Sequence, residues 1–185
     1  MTRRGHAFDM HCATFTKAEI QVDEENRVML FEDKNDPGDE EKYIAQYCSL
    51  LHTTIRLQDD TKVHVLNHHG RLVKGTGARM KNDIADYNFS RISEYISTLS
   101  GHIILSGDFN LWKEASSLLP LKRAGLINLN DVYNISTARN EFAWAPGESV
   151  SHIFINDQID IMDYRVAQDN VSDHLPLVMT CRVRI

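Results

Sequence analysis

The sequence predicts an α+β layered sandwich rather than a doubly wound fold. Short runs rich in β-branched, aromatic and other apolar residues outnumber stretches of helical periodicity, only two helical stretches are inserted among them, and no segment repeats another. With 185 residues, 42% of them hydrophobic, one domain with a substantial core is expected.

Each element follows from a local pattern. His11 to Ile20, Arg27 to Phe31 and Tyr43 to Leu57 read as strands, and the charged, turn-forming stretch Glu32 to Glu41 reads as a solvated connection between the last two. After the Asp59-Asp60 turn, Lys62 to Asn67 is a further strand. Leu72 to Lys81, with Gly75 and Gly77, is a loop leading into a helix from Asn82 to Leu99. In that helix Ile84, Ile92, Tyr95, Ile96 and Leu99 recur near 3.6-residue spacing, while Asp83, Asp86, Arg91 and Glu94 fall elsewhere. Ser100-Gly101 stops it, and the strand His102 to Leu105 follows at once. A second helical stretch covers Glu114 to Ala124, with a break expected at Pro120 and a left-handed cap at Gly125. Asn140 to Trp144, His152 to Ile155, Ile159 to Val166 and Leu175 to Arg182 complete the expected strands.

The bulk chemistry narrows the function. Twenty basic residues against 26 acidic ones give a net charge of −6, which counts against a dedicated duplex-DNA binder and says little against a small phosphoester. Lys62, Arg71, Lys74, Arg79 and Lys81 form one loosely basic segment. No run approaches the ~20 apolar residues that span a bilayer. The basic start Met1 to His6 leads into no apolar stretch, so no secretory signal is read. Cys12, Cys48 and Cys181 are odd in number and lack Cys-x-x-Cys spacing, as expected of reduced core thiols in a cytoplasmic protein. A zinc site is the weakest reading of the nine histidines.

Three motifs carry chemistry. Asn67-His68-His69-Gly70 ends a strand, and since adjacent residues of a strand point to opposite faces, at most one of the two imidazoles serves a given site. Ser106-Gly107-Asp108-Phe109-Asn110 ends the apolar run Ile103-Ile104-Leu105 with a carboxylate and a carboxamide two residues apart. Ser172-Asp173-His174-Leu175-Pro176 sets a carboxylate beside an imidazole at the edge of another strand. Each has a plainer alternative: a surface histidine pair, a tight turn with Asp and Asn bonding local backbone, and a cap before Pro176. Together, at strand ends, they supply the residue types that metal-assisted phosphoester hydrolysis requires.

The order Asn-x-His, Gly-Asp-Phe-Asn, a His-Ile-Phe strand and Ser-Asp-His-Leu-Pro, from Val63 to Val178, resembles the endonuclease/exonuclease/phosphatase superfamily. The resemblance implies a deoxyribonuclease I-like, four-layer, two-sheet β-sandwich flanked by helices, and hydrolysis of a phosphoester by water with Mg²⁺ or Mn²⁺. It implies that Asp108 activates the water, that Asn110 orients water or phosphate, and that Asp173, with Asp108, holds the metal. It implies that His174 and His69 neutralise charge at the phosphate and leaving group while Asn67 supports its loop. Arg79 and Arg139 are candidates for phosphate contacts, and Trp112 for stacking on a base or sugar; Trp144 is expected in the core. The family's carboxylate that orients the catalytic histidine is replaced here by Ser151, at a cost of about 1.5–3 kcal/mol in imidazolium stabilisation, with Asp157 and Asp160 as nearby substitutes. Phe8 to Ile20 resembles the strand that follows the family's principal metal-binding glutamate. The first strands and that glutamate are therefore expected before Met1, leaving residues 1–185 a single domain incomplete at its N-terminus. The expected partner is a phosphoester, nucleic acid among the candidates; oligomeric state is undetermined. The alternative function is an inactive remnant of the fold that binds without turnover.

Overall fold

The computed structural model describes residues 12–30, 49–73, 77–136, 138–143 and 147–184. In chain order these hold β1 (Gln21–Met29), β2 (Ser49–Arg56), β3 (Lys62–His68), α1 (Asp83–Ile96), β4 (His102–Asp108), α2 (Leu119–Arg123), β5 (Ile127–Asn128), α3 (Leu129–Val132), β6 (Ser151–Ile155), β7 (Ile159–Val166) and β8 (Leu177–Val183). Six strands form one sheet in the order β1-β2-β3-β4-β6-β5, and β7 and β8 form a second. Among the described residues only β3 and β4 run parallel, joined through α1; the other pairs are antiparallel.

The layers follow from side-chain alternation. On β4, Ile103 and Leu105 point toward α1 and join Leu50, Leu66, Phe89, Ile92 and Phe154 in the main core. Ile104 points the other way, with Ile153 and Ile155, onto Ile159, Tyr164, Leu177 and Met179 of the second sheet. Both faces of the large sheet are thus covered, one by a helix and one by a sheet, as the sandwich reading expects. Burying a leucine such as Leu105 fully contributes about 1.5–3 kcal/mol. No helix among the described residues is long and apolar enough to cross a membrane.

Several expected boundaries move for identifiable reasons. Residues 12–17 of the expected first strand are irregular: Ala13 and Thr14 are held by side chains, Asn67 Nδ2 on the Ala13 carbonyl at 3.3 Å and Thr53 Oγ1 on Thr14 Oγ1 at 3.1 Å, rather than by a ladder. β1 begins at Gln21, through the acidic run that hid it, because an edge strand exposed along most of its length needs ladder partners and no apolar face. Pro120 does not break a long helix; it sits in the first turn of α2, where its missing N–H costs nothing, and only a 3-10 turn (Ser116–Leu118) precedes it. The expected left-handed cap stands at Gly125, φ +83°. Asn140 to Ala143 is a turn, closed by Phe142 N–H donating to Asn140 Oδ1 and Ala143 N–H to the Asn140 carbonyl, in place of the expected strand. The short β5 and α3 carry no sequence pattern long enough to show. Residues 31–48, including the charged connection and the start of the Tyr43–Leu57 strand, lie outside the described residues, as do residue 11 and Trp144.

Four buried or half-buried histidines are kept neutral by the fold. Burial lowers His68 to about 4, and lowers His152, His52 and His64 as well, His64 adding to the effect on His52. His68 is fully buried, its Nδ1 2.9 Å from the Ser49 carbonyl and its ring edge-on to Phe89. An unfolded histidine protonates below about pH 6.5, the folded His68 only near 4. Stability is therefore complete above about pH 6.5 and drains as pH falls, the His68 share reaching about 3 kcal/mol near pH 4. Urea unfolding across pH 4–7 should show the midpoint falling over this window, with a shallower fall in His68→Gln; a midpoint independent of pH would contradict the account.

Candidate active site

The three predicted motifs meet at one end of the large sheet. Asn67 of β3 pairs with Ser106 of β4, and Gly107 and Asp108 of β4 pair with His152 and Ser151 of β6. Beyond the ladder, Gly70 N–H donates to the Asp108 carbonyl at 2.7 Å, which draws the exit of β3 against the turn after β4. This approach is possible only without side chains at two positions. A Cβ on Gly107 (φ +145°) would lie 1.9 Å from the His68 carbonyl oxygen, and one on Gly70 2.3 Å from the Phe109 oxygen.

Strand alternation then separates the two adjacent histidines. His68 turns into the core, and His69 emerges beside Asp108, its Nε2 3.8 Å from Asp108 Oδ2. Asp108 is oriented from behind: its Oδ1 accepts from Asn110 N–H at 2.9 Å, in a turn that holds Asn110 at φ +54°, and its Oδ2 faces outward. Phe109 anchors the turn in the core, against Phe89 and Phe154. From the loop before β8, His174 brings its Nε2 to 3.7 Å from Asp108 Oδ2 and 4.0 Å from Asp173 Oδ2. His174 Nδ1 lies 3.0 Å from Ser151 Oγ. Asp160 is engaged with Arg184 instead.

Not every predicted residue reaches the cleft. Asn110 is buried behind Asp108 and donates through Nδ2 to the Gly70 carbonyl at 2.8 Å, which makes it a support of the turn. Arg79 lies behind the same turn, 3.4 Å from Asn110 Oδ1 and 3.2 Å from Glu148. Trp112 borders a separate hollow of about 220 Å³ with Lys113 and Ser149. Asn67 donates to Ala13 and supports the approach of β3 to Gly107. Arg139, nine-tenths buried, is 3.3 Å from Asp173 Oδ2. Burial opposes ionisation of Asp173, but His174, Ser172 and Arg139 together hold its carboxyl below the usual range.

Two supports escaped the sequence reading. Asn140 ties the Asp173–His174 loop, its N–H donating to the Asp173 carbonyl at 3.2 Å and its Nδ2 to that of Ser172 at 2.7 Å. A buried chain runs from Tyr164 Oη to Asn130 Oδ1 (2.5 Å), from Asn130 Nδ2 to His152 Nδ1 (3.2 Å), and from His152 Nε2 to the Leu111 carbonyl (2.8 Å). Since that carbonyl only accepts, His152 carries its proton on Nε2 and is neutral, in keeping with its lowered pKa. No local motif marks either network, because their partners lie 22 to 41 residues apart. The open cleft bounded by His69, Asp108, Ser151, His152 and His174 measures about 460 Å³.

No protein-family model and no curated protein matches the chain. Solved structures do. An endonuclease/exonuclease/phosphatase family protein from Bacteroides thetaiotaomicron is 14% identical, with a TM-score of 0.65 over 88% of this chain and 64% of that one. A mannosyl-6-phosphatase from the same organism is 18% identical, with a TM-score of 0.62 over 88% and 67%. TDP2 of D. rerio, solved with a single-strand DNA product, is 12% identical, with a TM-score of 0.64 over 89% and 69%. The chain thus spans about two thirds of the length of these structures, and it has the endonuclease/exonuclease/phosphatase fold.

The close approach at Gly107 has a measurable consequence. Gly107→Ala forces backbone apart in a conformation that L residues avoid, and should lower stability by about 3 kcal/mol or more. Gly125→Ala, also at positive φ but with open space around it, should cost only about 1–2 kcal/mol. Denaturation midpoints of the two variants give the comparison, and equal losses would remove the steric account.

Proposed function

We propose that this chain is a phosphoester hydrolase in which Asp108 activates water for attack on phosphorus. One observation carries the reading: Asp108 Oδ2 stands in an open cleft between two imidazole Nε2 atoms, 3.8 and 3.7 Å away. Both gaps exceed a direct hydrogen bond and leave room for an intervening water or phosphoryl oxygen. With Oδ1 occupied by the Asn110 N–H, Oδ2 is the atom that takes the proton from water. His69 and His174 supply Nε2 donors to oxygens on which negative charge grows in the transition state. Ser151 holds His174 in orientation through Nδ1, and its hydroxyl can donate or accept, so it supports either neutral tautomer where a carboxylate would favour the imidazolium. His174 and Ser172, with Arg139, favour the ionised Asp173, and Arg139 adds positive charge beside the cleft.

The donor chemistry fits a hard cation. Asp108 and Asp173 both bring a carboxylate oxygen within 4.0 Å of the same His174 Nε2. Among the described residues no three His, Cys, Asp or Glu side chains converge into an ion-holding group; Mg²⁺ commonly takes one or two carboxylates and completes its shell with water and phosphate oxygens. Asp108 and Asp173 would therefore hold Mg²⁺ or Mn²⁺, which when bound supplies charge stabilisation to the phosphate. Phosphatase and single-strand DNA product in the names of structural neighbours support phosphoester chemistry without selecting a substrate. Ser151 in place of a carboxylate favours a second reading, a binding module of the same fold that does not turn over.

The test is hydrolysis of bis(p-nitrophenyl) phosphate and of plasmid DNA with and without Mg²⁺. Asp108→Asn should lose about 10²–10⁴-fold in rate, the usual worth of a general base. Equal rates for the native chain and the variant would defeat the hydrolase reading. Ser151→Asp restores a charge-assisted bond worth about 1.5–3 kcal/mol, and should raise kcat/KM roughly ten- to hundredfold at neutral pH. A slower Ser151→Asp enzyme would mean that His174 works as a neutral donor.

A further inference from the structure

The active-site cleft continues inward past its polar mouth. Asp108 and Ser151 are partners across β4 and β6, and the next pair on the same face is Ser106 and Ile153, followed by Ile104 and Ile155. Successive pairs on one face stand about 7 Å apart. The first pair carries a carboxylate and a hydroxyl, the second a hydroxyl and a hydrocarbon side chain, the third hydrocarbon alone. Opposite them, the loop that bears His174 runs on through Leu175 and Pro176 into Leu177, the first residue of β8. Ile153 and these three residues line the same cleft of about 460 Å³ as Asp108 and His174.

This inner part is apolar and incompletely covered. Ile153 and Leu177 belong to the packing between the two sheets, yet both keep part of their surface exposed, as does Ile104 behind them. Beyond Asp108 and Ser151, the lining that β4 and β6 turn to this face is Ser106 and Ile153. His152 points to the other face and has both ring nitrogens engaged. Water there meets one hydroxyl and otherwise hydrocarbon, so its displacement by an apolar group is favourable. A nucleoside or a sugar in the same place would bury amides and hydroxyls with a single partner, at a cost for each group left unpaired. The net charge of −6 equally disfavours a polyanion such as nucleic acid.

We infer that the substrate is a phosphoester with an apolar organic group, alkyl or aryl. Its phosphate lies between His69, Asp108 and His174, and its hydrocarbon runs inward between the two sheets, over Ile153 and Leu177. The inference rests on the phosphoester-hydrolase reading of this cleft and adds the substrate class to it. Ile153 and Leu177 are then specificity-determining residues: the mouth recognises phosphate, and the gap behind it recognises hydrocarbon.

Alkylphosphonates test this without turnover, because their phosphorus–carbon bond is not an ester. Methyl-, butyl- and hexylphosphonate are titrated calorimetrically into the full chain with Mg²⁺. Affinity should rise about two- to fourfold per methylene, so that hexyl binds at least about thirtyfold more tightly than methyl. Ile153→Thr keeps a β-branched side chain in the strand and puts a hydroxyl on the path. It should weaken hexylphosphonate at least about fivefold and leave methylphosphonate within about twofold. Where circular dichroism shows Ile153→Thr unfolded, Leu177→Thr replaces it, with the same split expected. Phe142→Ser, which removes an exposed apolar side chain outside the cleft, should leave the series unchanged. The inference is overturned by affinities independent of chain length, by no binding of hexylphosphonate at millimolar concentration, or by a chain-length dependence that neither Ile153→Thr nor Leu177→Thr reduces. Hydrolysis of bis(p-nitrophenyl) phosphate alongside a flat series would remove the substrate class and leave the hydrolase reading standing. A steep series without hydrolysis would keep the apolar subsite and remove the hydrolase reading.

Discussion

The candidate active site depends on how closely the exit of β3 can approach the end of β4. The His68 carbonyl fills the place where residue 107 would carry a Cβ, and the Phe109 carbonyl the place where residue 70 would. Two glycines let the parallel pair continue past its ladder, to the bond from Gly70 N–H to the Asp108 carbonyl. That bond is what sets His69 beside Asp108. Phe109, buried between Phe89 and Phe154, holds the turn from below, so the carboxylate is fixed by core packing as much as by hydrogen bonds.

The two walls of the cleft are built differently. Asp108 and Ser151 sit in a ladder, facing each other across β4 and β6, and the segment after Asp108 is braced by the Tyr164–Asn130–His152–Leu111 chain. Inside the core such a chain is stabilising only when every member is satisfied, which the neutral ε-protonated His152 achieves. Asp173 and His174 belong to a loop, and their position rests on Asn140, on Arg139, and on the isolated bridge between Arg139 and His174. The cleft's side chains thus come from one laddered wall and one tethered wall. The Ser151–His174 contact is the side-chain bond that joins them.

Histidines stand toward both ends of β3: His69 and His174 beside Asp108 and Asp173 at one, and His52 and His64 at the other. β3 and the residue after it reach both because alternate residues share a face: His64 and His68 point toward α1, and His69, just past the strand, turns to the cleft.

Much was legible from the chain alone. Ile159–Val166 was marked residue for residue by its apolar pattern, α1 by its 3.6-residue stripe, and the gathering of Asp108, His69 and His174 by motifs that end strands. β1 was only half visible, because an exposed edge strand is stabilised by its neighbour's ladder rather than by an apolar face. The same limit applied to the site: residue types and their order named candidate side chains, but whether Asn110 faces the cleft or supports it depends on a Gly70 carbonyl forty residues away. Local sequence records which groups a strand end presents, since that needs only alternation and a turn. Which of them reach a common point is decided by hydrogen bonds and packing between segments distant along the chain, and those exist only once the sheet has closed.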